Sequence, residues 1–138
     1  MIEIRSYKDE DYEEVKINLE DGGLFDESLD TKEVLKSKIK SNPDSILVAV
    51  VDKQIVGSVY LIQDLWSSFI FTLAVRKEFR ERGIGSKLME ESERILKEKG
   101  IKDVALFVRE GHKELIDYYQ KRGYAPMSTL HHGMYKEL

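Results

Sequence analysis

A change of hydrophobic period near its middle constrains this chain more than any other feature. Between residues 46 and 75 the apolar residues fall into three short runs, Ile46 to Val51, Ile55 to Ile62 and Phe69 to Val75. Asp52-Lys53 and Asp64-Leu65-Trp66-Ser67-Ser68 separate them. Runs of this length between turn-forming residues read as neighbouring antiparallel strands, the first of them buried on both faces. The period then lengthens. Ile84, Leu88, Met89, Ile95 and Leu96 form one stripe of a long helix that Gly100 ends.

The flanks extend the pattern. Ile2 to Arg5 alternates as a half-buried strand does. Ser6 precedes Asp9 by three residues, resembling a capping box, and Tyr12, Val15 and Leu19 follow at helical spacing until Gly22-Gly23. A second helix is predicted from Thr31 to about Lys40, with Val34, Leu35 and Ile39 facing inward and Pro43 preventing continuation. After the long helix, Val104 to Val108 reads as a strand lying parallel to Phe69–Val75 across a crossover. Leu115, Ile116 and Tyr119 mark a last helix ended by Gly123, and Tyr124 to Leu138 reads as one or two closing strands. The expectation is one α+β domain over residues 1–138, a mixed, mostly antiparallel sheet between helices. At 138 residues the chain has the usual size of one domain.

Composition excludes several function classes. There is no cysteine, so disulfides, thiolate zinc sites and an enzyme-bound thioester are all ruled out. His112, His131 and His132 lack the i, i+4 spacing of a helical metal pair, so no metal is expected. A net charge of −4, from 22 basic and 26 acidic residues, argues against a general nucleic-acid binder. The apolar runs are far shorter than the roughly 20 residues that cross a bilayer, and no export leader opens the sequence. A cytoplasmic protein without a membrane partner is expected.

The densest chemical signal is the segment from Val75 to Leu88, where a strand ends, Arg80-x-x-Gly83-x-Gly85 forms a loop, and the long helix begins. Glycines let backbone approach a ligand, and the free N–H groups of a helix start favour an anion such as a pyrophosphate. Residues 76–87 carry five basic side chains against two acidic ones. Alone, the loop also describes a helix start on a solvated basic surface; its place between strand and helix favours the anion site. It lacks the Gly-Lys-Ser/Thr of a Walker loop and the first glycine of the dinucleotide fingerprint.

With Leu73-Ala74-Val75 before it, the Arg80–Gly85 run resembles the acyl-CoA-binding motif of the GNAT family of N-acetyltransferases. Tyr119-Gln120-Lys121-Arg122-Gly123-Tyr124 is similar to that family's tyrosine, three residues, glycine, aromatic signature, and the order of elements resembles the family throughout. The resemblance implies the acyl-CoA N-acyltransferase fold, an α/β three-layer arrangement whose fourth and fifth strands splay around the cofactor's pantetheine arm. It implies that the backbone amides of Arg82, Gly83, Gly85 and Ser86 cradle the CoA pyrophosphate, with Arg80 nearby. The backbone of Leu73 and Val75 would pair with the pantetheine arm as an added strand does. Tyr119 is implied as the general acid that protonates the departing thiolate. His112 stands where many relatives carry an asparagine that contacts the cofactor; it either keeps such a contact or only starts the helix.

The implied function is direct transfer of an acetyl group from acetyl-CoA to a primary amine of a small molecule or a protein N-terminus. The alternatives are a non-catalytic acyl-CoA-binding or sensing module, which Tyr119 disfavours and the absence of a visible base keeps open, and an interaction domain that binds no CoA, which the Arg80–Gly85 loop disfavours. Asp26, Glu27, Asp64, one of His131 and His132, or a water wire are candidates for the base. Glu20, Asp21, Asp26, Glu27 and Asp30 form a stretch without basic residues that would attract a cationic amine or is a solvated loop. Trp66, at a hairpin tip, is available to an acceptor or to a second copy in a homodimer.

Overall fold

The computed structural model describes residues 1–138. Its strands are β1 (Glu3–Ser6), β2 (Ile46–Val51), β3 (Gln54–Ile62) and β4 (Phe69–Val75). Its helices are α1 (Tyr12–Asp21), α2 (Lys32–Ser41), α3 (Ile84–Glu98) and α4 (Lys113–Lys121), with 3-10 turns at Asp9–Asp11 and Lys77–Phe79. The chain divides into two compact units, Met1–Leu106 and Phe107–Leu138.

In the first unit the strands lie in the order β1-β2-β3-β4, every neighbouring pair antiparallel. Asp52 and Lys53 both adopt positive φ, 48° and 66°, the geometry a two-residue hairpin needs to match the strand twist. Two irregularities interrupt the pairing. One lies between Ala49 and Val50 against β3; the other sets Ser58 to Tyr60 of β3 against the longer stretch Phe71 to Ala74 of β4.

Helices cover both faces of this sheet. On one, Val15 and Leu19 of α1 and Leu35 of α2 bury themselves against Ile46, Val48, Ile55 and Tyr60. On the other lies α3, whose Ile84, Leu88, Met89, Ile95 and Leu96 are all buried, as their stripe requires. Gly57 seats it. A Cβ there would lie 3.0 Å from the Ala74 carbonyl, 3.2 Å from Leu88 and 3.3 Å from Ile84.

Local details correct the sequence reading. The first helix is not capped from Ser6. Instead Asp11 accepts the Lys8 N–H at 2.8 Å and holds Arg5 through two bonds, at 2.7 and 3.0 Å. Burial pushes the Asp11 carboxyl upward, but Arg5 and the Lys8 N–H outweigh it and hold it below the usual carboxylate range. At α2 the Thr31 side chain does cap Val34 N–H, at 3.2 Å. Val34 itself is 40% exposed, because Leu35 takes the single buried position of that short helix.

The 104–108 strand shortens to one bridge. Ala105 pairs in parallel with Phe69, accepting from Ile70 N–H at 3.0 Å and donating to Ser68 at 2.9 Å. A parallel ladder needs evenly spaced groups along its neighbour, and the irregularity of β4 after Phe71 removes that spacing.

In the second unit α4 is followed by no strand, contrary to the expectation for residues 124–138. Met127, Leu130, Met134 and Tyr135 are exposed. Their spacing lacks the period of two that would give a strand one face to bury. No helix of the chain is long and apolar enough to cross a membrane.

Candidate active site

The loop between β4 and α3 is built as its glycines and charges suggest. Gly83 occupies the cap position of α3 in the left-handed region, at φ 79°, which a residue with a Cβ adopts only under strain. A Cβ added there would meet nothing within 4 Å, so the backbone faces open space. Lys87 N–H is bonded back to Gly83 at 3.0 Å, and the N–H groups of Ile84 and Gly85, earlier in the turn, have no intrahelical acceptor. Helix dipole and free donors together suit an anion.

The basic side chains divide by role. Arg76 turns away, donating through Nε to Asn18 at 2.9 Å, while Asn18 binds the Ile55 carbonyl of β3. Arg80 donates through Nε to the Val75 carbonyl at 3.0 Å, and Arg82 lies over the Phe79 ring, 5.1 Å from its centroid. Arg80, Arg82, Gly83 and Lys87 are exposed; Gly85 and Ser86 are half-buried.

Beyond Ala105 no strand of the sheet pairs with the outer edge of β4. Arg76 N–H reaches inward to Val56 at 2.7 Å, and Ala74 pairs with Ser58. By strand alternation Leu73 and Val75 therefore direct their backbone groups outward, with the Val75 carbonyl already taken by Arg80. The irregularity at Thr72 sets this phase. Its φ of 54° is rare for a β-branched residue and marks a strained backbone of the kind found at ligand clamps. Sequence reasoning missed Thr72 because nothing in a β-prone run announces a bulge.

In the second unit the Tyr119 signature is a helix stop with a purpose. Gly123 sits at φ 96° and its N–H returns to Gln120, while Tyr124 N–H returns to Tyr119, both at 3.0 Å. This pair of bonds forms a Schellman ending that folds Tyr124 back on the helix. The Tyr124 ring meets Tyr119 edge-on at 5.8 Å, and Tyr118 flanks it at 5.2 Å. Tyr119 is 8% exposed. Burial first, then Tyr118, raise its pKa above the ordinary tyrosine value against the opposing charge of Arg122. A phenol so placed is protonated at neutral pH and able to donate.

His112 stands at the start of α4, with an exposed side chain that makes no capping bond. The candidates for a base fare unequally. Asp26 is exposed and engaged by the Ser28 hydroxyl and the Ser28 and Leu29 N–H groups, which lower its pKa. Asp64 bonds Trp66 N–H within the hairpin turn, at 2.8 Å, and Trp66 is 92% exposed. His131 and His132 are exposed, the former bonded to the Thr129 carbonyl. Asp30, counted in sequence only as part of an acidic stretch, is 5% exposed and belongs to the core side of its loop.

The acetyltransferase (GNAT) family profile matches residues 4–124, from β1 to Tyr124. The chain belongs to this family. An acetyltransferase of Pectobacterium atrosepticum is 32% identical over 129 residues, covering 94% of this chain and 92% of its own. Among solved structures, Ard1 of Thermoplasma volcanium superposes with a TM-score of 0.80 at 25% identity, over 92% of this chain and 84% of that one. The PaiA N-acetyltransferase of Thermoplasma acidophilum, solved in complex with coenzyme A, gives 0.75 at 26% identity, over 94% and 92%. This GNAT chain is thus an acetyl-CoA-dependent acetyltransferase. Its open glycine cradle, helix start and unpaired strand edge fit coenzyme A.

Proposed function

We propose that this GNAT enzyme transfers acetyl directly to a primary amine of a small molecule or a protein N-terminus, as one catalytic domain over residues 1–138. Bound acetyl-CoA would supply an activated thioester carbonyl. Backbone amides of Arg82, Gly83, Gly85 and Ser86 hold the pyrophosphate, with Arg80 beside them. The outward backbone of Leu73 and Val75 lies along the pantetheine arm. His112, at the start of α4, adds a cofactor contact. Tyr119 donates the proton that the thiolate needs on leaving. The observation that carries this reading is the left-handed, open turn at Gly83 at the head of α3. The absence of cysteine, which leaves no thiol to carry the acetyl group as a thioester, supports direct transfer. The exposed Glu20, Asp21 and Glu27 favour a cationic acceptor, and a cytoplasmic setting would supply acetyl-CoA.

The test is release of free CoA thiol over a panel of primary amines, polyamines and peptides with free N-termini. A protein without cysteine gives no thiol background of its own. Turnover with one amine class and acetylation of its nitrogen support the reading. Acetyl-CoA binding without turnover on any amine contradicts it.

A further inference from the structure

The α1–α2 face of the sheet carries a second group of polar side chains, apart from the glycine turn and Tyr119. The hydroxyls of Tyr7, Ser58 and Tyr60 are buried and have no hydrogen-bond partner, in residues 3%, 0% and 8% exposed. Burying a hydroxyl unpaired is costly, so three on one face require an explanation. Beside them is the Asp30 carboxylate, 5% exposed, with no salt-bridge partner and accepting the Asp26 N–H at 2.9 Å. Tyr12 closes the group by donating to the Asp30 carbonyl at 2.8 Å. Burial, then the Asp30 charge and the interaction of its carboxylate with the phenol, raise the pKa of Tyr60, so the two groups are close, although their geometry falls short of a full hydrogen bond. A water or an amine nitrogen can bridge such a gap.

The place of Tyr60 gives this group its meaning. It pairs across the sheet with Phe71, whose successor is the strained Thr72, where β4 changes phase and turns the backbone of Leu73 outward. The group therefore lies one strand in from the edge assigned to the pantetheine arm.

We infer that Asp30 is the proton acceptor of the reaction and that the Tyr60 hydroxyl, with Tyr7 beside it, relays the proton from the acceptor ammonium. The inference rests on the amine-acetylation reading. The ammonium N–H bond breaks and its proton passes through the relay to an Asp30 oxygen, leaving the neutral amine with the lone pair that forms the C–N bond. As the tetrahedral adduct collapses, the C–S bond breaks and the thiolate takes the Tyr119 proton. The second nitrogen proton passes to solvent, solvent reprotonates Tyr119, and Asp30 returns its own proton to solvent. Charged and titratable groups facing Asp30 are Tyr12 from α1 and Tyr60 from β3. Lys16, Glu13 and Glu33 act on Tyr12, and Asp9, Glu10 and Asp11 act on Tyr7.

The test compares wild type, Asp30→Asn and Tyr60→Phe, with putrescine and a short peptide bearing a free N-terminal alanine as probes. Tyr60→Phe removes an unpartnered hydroxyl, so the melting temperature of the protein without acetyl-CoA should stay or rise while kcat falls about tenfold or more. Asp30→Asn should lower kcat at pH 6.5. With the peptide that deficit should shrink as pH rises and disappear above the α-amino pKa of about 7.7–8.0, where the amine needs no base. A deficit constant with pH, or kcat within twofold of wild type in both variants, overturns the relay. Wild type inactive on these probes and on every amine of the panel contradicts the amine reading and the relay with it; active wild type matched by both variants contradicts the relay alone.

Discussion

Tyr119 shows how one oxygen can be separated from the packing around it. Its ring is held by Tyr118, Tyr124 and the helix ending at Gly123, none of which needs the hydroxyl. Tyr119→Phe should therefore fold as wild type and bind acetyl-CoA with unchanged affinity, while kcat falls by about 10²–10⁴-fold, the range of general acid catalysis. Because burial raises its pKa, Tyr119 remains a donor throughout the neutral range, and any loss of rate between pH 7 and 9 should persist in the Phe variant. A kcat within about twofold of wild type would assign thiolate protonation to another group. The residue scale was partly legible in the sequence. Tyr119 and Gly83 stood out because each sits in a motif with fixed spacing. Asp30, Tyr60 and Thr72 did not, since a buried carboxylate, an unpaired hydroxyl and a bulge come from tertiary placement, and their residue types are common in solvated loops and plain strands.

At the scale of elements, α3 joins stability to the site, because the residue that opens it, Ile84, is also packed on Gly57 of β3. Gly57→Ala would press against the Ala74 carbonyl, Leu88 and Ile84 together. The expected cost is about 1–3 kcal/mol, as for other overpacked cores. Denaturant unfolding should show it, and acetyl-CoA affinity should fall in the folded fraction because the first turn of α3 moves. Loss of stability with unchanged affinity would mean that the loop is positioned independently of this contact. The central strands and the long helix were legible because their periods are strong: β2 and β4 occupy the expected residues and all five stripe residues of α3 are buried. The end of the chain was not. Val104 to Val108 has strand composition, but pairing depends on the neighbour, and β4 offers a regular edge only as far as the bridge at Ala105. The Tyr124–Leu138 segment has apolar residues without a face to bury them.

Taken whole, the molecule is acidic, with a charge of −4, yet it gathers Lys77, Arg80, Arg82 and Lys87 around one helix start. Net charge alone would have hidden this, and the strand–loop–helix order made it legible; the separate commitment of Arg76 to Asn18 emerged only from the fold. The central claim is that this turn holds acetyl-CoA through close backbone approach. The most direct test is calorimetric titration of acetyl-CoA into wild type and Gly83→Val, with circular dichroism and thermal melting to establish that the variant is folded. A valine at φ 79° costs about 1–2 kcal/mol of backbone strain and fills the open cradle. The account predicts saturable binding in wild type and no measurable binding in a folded Gly83→Val. A folded variant that binds acetyl-CoA as tightly as wild type would contradict it.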